Sequence, residues 1–76
     1  MEEMLKTIVK YVVDNPDSIE VTKRQEDKTA ILELKVAQED MGKVIGKQGK
    51  MAKAIRTLMK AYGAKIGEKI NVDIID

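Results

Sequence analysis

The sequence predicts an α+β fold in the order α-β-β-α-α-β, a three-stranded sheet covered on one face by three helices. Three observations carry this. An apolar stripe of helical period opens the chain; two alternating segments flank a short polar turn, with a third alternating segment at the end; and a glycine pair interrupts a helical pattern between them. Residues 1–76 form one domain with a small core, since 76 residues leave no room for a second.

The first helix is expected over Glu2 to Asp14. Leu5, Ile8, Val9 and Val12 recur at helical spacing, and Met4 and Val13 widen the stripe. Asn15-Pro16 ends it, because proline disfavours helix for the residue before it. Ser18 to Gln25 alternates, with Ile19 and Val21 on one side. Glu26-Asp27-Lys28 is a polar turn, and Thr29 to Ala37 alternates again, with Ala30, Leu32, Leu34 and Val36 on one face. The pair reads as a β-hairpin. Glu39 or Asp40 is expected to cap a short helix running through Ile45. A further helix is expected from Lys50 to Tyr62, with Gly63 in the position of a glycine just past a helix end. Ala64 to Lys69 is a turn, and Ile70, Val72 and Ile74 mark the last strand.

The net charge of +1 conceals a segregation. Met41 to Gly67 holds seven basic residues (Lys43, Lys47, Lys50, Lys53, Arg56, Lys60 and Lys65) and no acidic one; the rest of the chain balances to −6. Positive segments of this kind favour polyanionic partners, although a solvated lysine face is the commoner use of such a run. The chain has neither Cys nor His, so disulfides, thiolate or imidazole metal sites and the usual neutral-pH general base are lacking. Met1-Glu2-Glu3 is acidic and no long apolar run follows, so no signal peptide, membrane span or membrane association is expected, and a cytoplasmic location is.

The positive stretch contains Val44-Ile45-Gly46-Lys47-Gln48-Gly49-Lys50-Met51. Two glycines three apart let the backbone approach another molecule and adopt φ angles closed to other residues. The helix start that follows offers unpaired N–H groups and a positive dipole end, and Lys47 adds charge. This suits a phosphodiester backbone. Lys50, Lys53, Thr57 and Lys60 line one side of the following helix, with Arg56 beside them. Met51, Ile55, Leu58 and Tyr62 form its apolar side, and Ile45, Ile55 and Leu58 are expected in the core. The expected RNA-binding set is Gly46, Lys47, Gln48 and Gly49, with Lys43, Val44, Ile45, Lys50, Lys53 and Arg56. Bases need an apolar platform, for which Val44, Ile45, Ala52 and the edge of the hairpin are candidates. With Tyr11 and Tyr62 as the sole aromatics, stacking is scarce and the expected affinity modest. Met4, Met41, Met51 and Met59 read as core filler or a dimer surface.

The element order and the loop resemble a type II KH domain. The pattern V-I-G-x-x-G-x-x-I matches from Val44 to Met51, with Ala52 standing in place of the last aliphatic. Gly42 to Lys50 together with Ala54-Ile55-Arg56-Thr57-Leu58 resembles the KhpA family of small bacterial stand-alone KH proteins, and the likeness runs to Val72-Asp73-Ile74-Ile75-Asp76. The resemblance implies an RNA-binding protein or RNA chaperone of the bacterial cytoplasm that grips single-stranded RNA. It also implies self-association as a homodimer, a KhpB-like partner, and a link to cell shape and peptidoglycan homeostasis. No cofactor is implied.

Two rivals stand beside this. A nucleotide-binding enzyme would need four residues between its loop glycines and a Ser or Thr after the lysine; Gly42 and Gly46 enclose three residues, and Gln48 follows Lys47. With a single Ser and no His or Cys, catalysis lacks its usual parts, and no enzyme is expected. A protein-interaction adaptor built on the KH fold is the alternative; it would have no need of Lys47 and its basic neighbours.

Overall fold

A computed structural model describes residues 1–75; Asp76, the last residue of the expected C-terminal likeness, lies outside them. The elements are α1 (Glu2–Lys10), β1 (Glu20–Glu26), β2 (Thr29–Lys35), α2 (Met41–Ile45), α3 (Lys50–Ile66) and β3 (Lys69–Ile75), with 3-10 turns at Pro16–Ser18, Gln38–Asp40 and Lys47–Gly49. The expected order holds, and the sheet runs β1-β2-β3. β1 and β2 form the hairpin, antiparallel, with Glu26 opposite Thr29; Asp27, at φ 54°, makes the sharp reversal. β3 pairs parallel to β2, Leu32 opposite Val72. Parallel neighbours need a long crossover, which here consists of α2, the glycine loop and α3.

One face of the sheet packs on the helices. Ala30, Leu32 and Leu34 are fully buried there, against Leu5 and Val9 of α1, Val44 of α2, and Ile55 and Met59 of α3. Each such aliphatic removed from water contributes roughly 1.5–3 kcal/mol before chain entropy is set against it. The opposite face is polar, with Arg24 paired to Glu26 along its own strand and to Glu33 across the hairpin. Ile31, placed by its alternation on that face, is nevertheless buried: it sits on the central strand, between Arg24 and Asn71 in register.

Several expectations are corrected. The first helix ends at Lys10 rather than Asp14. The chain unwinds so that the consecutive N–H groups of Asp14 and Asn15 donate to the carboxylate of Asp40, at 3.2 and 2.9 Å, and the Asn15 side chain donates at 3.0 Å. Asp40 therefore does not cap α2 through its side chain, as expected; it is buried and clasps the α1–β1 connection to the start of α2. The later helix runs through Gly63 to Ile66. Gly63 lies within the helix, because a Cβ there would stand 2.6 Å from the carbonyl oxygen of Glu68, and Gly67, at φ 76°, is the residue that ends it. The buried stripe of α3 is Ala52, Ile55, Met59 and Gly63. Leu58 is thus exposed rather than core, since the stripe is rotated by about one residue from the one read off the aliphatics alone; Ile45, at the end of α2, is exposed too, because that helix buries Val44 instead.

Candidate nucleic-acid interface

The interface is built at the junction of α2 and α3. Gly46 closes α2, its N–H donating to the carbonyl of Gly42 at 2.8 Å. It then takes φ 76° and ψ 174°, a conformation essentially reserved for glycine. A Cβ on Gly46 would stand 2.7 Å from that of Met51, so the loop folds back against the first turn of α3. Gln48 (φ 57°, ψ 25°) and Gly49 (φ 74°, ψ 13°) follow in left-handed geometry, the central residues of a tight turn in which the N–H of Lys50 donates to the carbonyl of Lys47. A non-glycine residue in that geometry is strained by about 1 kcal/mol.

This path leaves the loop with groups to offer. Among the hydrogen bonds of the described residues, neither Lys47 nor Gln48 donates its backbone N–H. Both side chains are exposed, and α3 begins without a side-chain cap. A Cβ on Gly49 would meet nothing within 4 Å, so its surface faces open space. Unpaired amides, the start of a helix and an exposed lysine thus occur within one short stretch, which is a combination that suits an anion.

Beside the loop lies a groove of about 350 Å³ lined by Met41, Ile45, Gly49, Ala52, Arg56 and Ile74. Ala52, at the position where the KH pattern has a larger aliphatic, is among its lining residues. Arg56 spans from α3 to β3, its Nε–H donating to the carbonyl of Val72 at 3.3 Å. The wall opposite the helices is therefore β3. The hairpin edge, expected as a platform, is β1, on the far side of the sheet.

The other expected residues divide. Lys50 and Lys53 are exposed on α3. Val44 is buried in the core, so it holds α2 in place rather than facing solvent. Lys43 is drawn away from the loop: its ammonium pairs with Asp14 and lies 3.8 Å from Asp40. The hydrogen bond to Asp14, together with the attraction of Asp14 and Asp40, holds its pKa above the ordinary lysine value despite some desolvation. Burial pushes the Asp40 carboxyl up. Hydrogen bonds from the Asn15 side chain and from the N–H groups of Asp14 and Asn15, with the Lys43 charge, outweigh it and hold the group below its usual range. Met41 and Ile74 escaped the sequence reading as groove residues. Met41 is expected as core filler or a dimer surface, and Ile74 becomes a groove wall because β3 pairs only with β2 and so forms an edge of the sheet.

The chain is similar to known proteins along its whole length. The family model described as KhpA/KhpB, KH domain matches residues 2–74. A protein named RNA-binding protein KhpA from Caldanaerobacter subterraneus is 56% identical over 75 residues, covering 99% of this chain and 100% of its own. The proteins of that name from Listeria monocytogenes, 49% identical over 76 residues and covering 100% of both chains, and from Aquifex aeolicus, 40% identical over 76 residues and covering 100% of this chain and 96% of its own, are similar throughout. Among solved structures, a point variant of Aquifex aeolicus Era bound to GDP and AlF4− shares the fold, with a TM-score of 0.62 at 18% identity. The match covers 96% of this chain and 28% of that one.

Proposed function

The chain belongs to the KhpA/KhpB KH-domain family, a family of KH proteins and not of enzymes, and from that premise we propose that it binds single-stranded RNA through the Gly46–Gly49 loop. One observation carries the reading: the backbone N–H groups of Lys47 and Gln48 are unpaired beside a groove whose lining joins Met41, Ile45, Ala52 and Ile74 to Arg56. The loop takes a phosphate; Met41, Ile45, Ala52 and Ile74 accept the faces of adjacent bases; Lys50 and Lys53 screen the phosphates that follow. Phosphate contacts of this kind set affinity and salt dependence, and base contacts set preference.

Fluorescence anisotropy with a labelled random single-stranded RNA pool tests this. Lys47→Asp with Gln48→Asp puts two carboxylates where phosphates would lie. It is expected to weaken binding at least about tenfold while changing stability by no more than about 0.5 kcal/mol, since both side chains are exposed. Affinity of the parent falls steeply with salt. Equal affinity of parent and variant overturns the reading. A parent that binds no RNA favours the adaptor alternative instead.

The relatives' name and the family resemblance extend the proposal to a regulator or chaperone of RNA in the bacterial cytoplasm, acting with a KhpB-like partner and linked to cell shape and cell-wall homeostasis. An exposed apolar flank supports self-association as a homodimer. Met51, Leu58 and Ile66 expose 37%, 53% and 45% of their surface on the flank of α3 turned away from the groove, and a second copy there would leave both grooves open and add avidity. Light scattering is expected to show a dimer that Leu58→Asp converts to monomer; a monomeric parent removes this part.

A further inference from the structure

The chain is rich in thioethers and has no thiol. It carries five methionines and no Cys, Trp or His, so a mild two-electron oxidant such as hydrogen peroxide meets the methionines first. Their surroundings differ. Met59 is fully buried in the core, and Met1 packs against that core. Met4 exposes 38% of its surface on α1, and Met51 exposes 37% on the flank of α3 turned away from the groove. Met41 is different again. It is half-buried at the start of α2, packs against the core and also lines the groove beside the glycine loop. Among the described residues no other methionine lines that groove.

We propose that Met41 is an oxidation site through which peroxide reversibly weakens RNA binding. The inference rests on the RNA-binding reading above and deepens it by naming a control of the same groove. A lone pair of the thioether sulfur attacks one peroxide oxygen as the O–O bond breaks. The proton on the new S–O group passes to the departing hydroxide, which leaves as water. Sulfur is oxidised to the sulfoxide and peroxide is reduced. The product has nearly the length of the parent side chain but a strong dipole and a hydrogen-bond acceptor. Of the groove-lining side chains, Ile45, Ala52 and Ile74 have no donor to offer it. A base laid against the sulfoxide strips water from its oxygen without replacing it, which is where a polar group costs most. Arg56 is the one lining side chain that can donate; a bond from it to the sulfoxide would take a cation from the phosphates. Either arrangement weakens RNA binding. Methionine sulfoxide reductases return both epimers to the thioether, so the change is resettable.

The test treats the folded parent with hydrogen peroxide and locates each added oxygen by mass spectrometry of tryptic peptides. Anisotropy with the random single-stranded RNA pool follows. Oxidation at Met41 is expected to weaken binding about fivefold or more, and the reductases MsrA and MsrB together restore it. Met41→Leu conserves volume and apolar character. It should bind RNA as the untreated parent does and keep that affinity after peroxide, although Met4 and Met51 still gain oxygen. Circular dichroism checks that the oxidised parent is folded. Met59→Leu, carried through the same treatment, removes oxidation of the core as a cause of any loss. Undiminished affinity with Met41 oxidised overturns this proposal and leaves the loop reading intact. So does a loss that persists in Met41→Leu, or a Met41 that stays unoxidised while Met4 and Met51 react. Absence of RNA binding by the untreated parent, unchanged by Lys47→Asp with Gln48→Asp, overturns the loop reading and this one with it.

Discussion

The two ends of α3 are both built on glycine, and they do opposite things. At the start, Gly46 and Gly49 turn the chain so that amides and an ammonium group face outward, and the space above Gly49 is empty. At the finish, Gly63 and Gly67 turn the protein in upon itself. Gly67 ends the helix in left-handed geometry, the N–H of Glu68 donates to the Gly63 carbonyl at 2.8 Å, and Ile70 packs where a Gly63 side chain would be. A helix leaves N–H groups unpaired at one end and carbonyls at the other. Here the donors of Lys47 and Gln48 stay unpaired, while a carbonyl at the other end is satisfied internally. Glycine content alone does not mark a binding loop; what the glycine makes room for does.

Alanine at each end should separate the two roles, and the larger effect on stability belongs to the closed end. Gly63→Ala forces a Cβ against the Glu68 carbonyl, a backbone atom that cannot swing aside, and against Ile70. Overpacking of this kind outweighs the gain in helix propensity, for a net loss of about 2 kcal/mol, or about 10 °C in Tm for a chain this small. RNA affinity of the folded fraction should be preserved. Gly49→Ala meets no atom and is strained only by its positive φ, about 1 kcal/mol, yet its methyl group enters the groove mouth and should weaken RNA more than the lost stability explains. Thermal melts beside anisotropy decide this. If both variants lose stability and affinity in the same proportion, the functional division of the two ends is wrong.

The open end was legible in the sequence because it is local. Gly46-Lys47-Gln48-Gly49 are contiguous, and their meaning comes from residue type and spacing. The alternating strands were legible for the same reason, and the hairpin, last strand and element order followed. The closed end was misread because Gly63 follows a plausible helix terminus at Tyr62; only the return of Glu68 and Ile70 shows that the helix continues and needs a bare backbone there. Leu58 was misread because helix period fixes which residues share a face but not which face meets the sheet. The groove walls at Met41 and Ile74 depend on how α2 and β3 pack beside α3. That is a contact between distant residues which no local pattern encodes. Lys43 joined the expected RNA contacts on charge and proximity in sequence, whereas its partner Asp14 is 29 residues away.

Asp40 sharpens the comparison with a smaller and pH-dependent effect, because it supports the open end from behind. Its carboxylate ties the end of the α1 turn to the helix that enters the glycine loop, with three donors from Asp14 and Asn15. Its pKa in the fold lies below the ordinary value of 3.8. A group whose folded pKa is depressed stabilises fully above its unfolded pKa, and that contribution is lost as pH falls through the folded value. The clasp should therefore be intact at neutral pH and weaken only below about pH 4. Asp40→Asn keeps the shape but removes the charge and presents an amide to donors that need an acceptor. It should lower Tm by about 5 °C at pH 7, with the gap to the parent narrowing as pH falls below about 4. A Tm difference that stays constant from pH 7 to pH 3 would mean that packing, not the ionised carboxylate, holds α2 in place. RNA affinity supplies the second readout. If the clasp only adds stability, the folded variant binds as the parent does; if it also sets the angle at which α2 delivers Gly46, affinity at neutral pH falls in the folded variant as well.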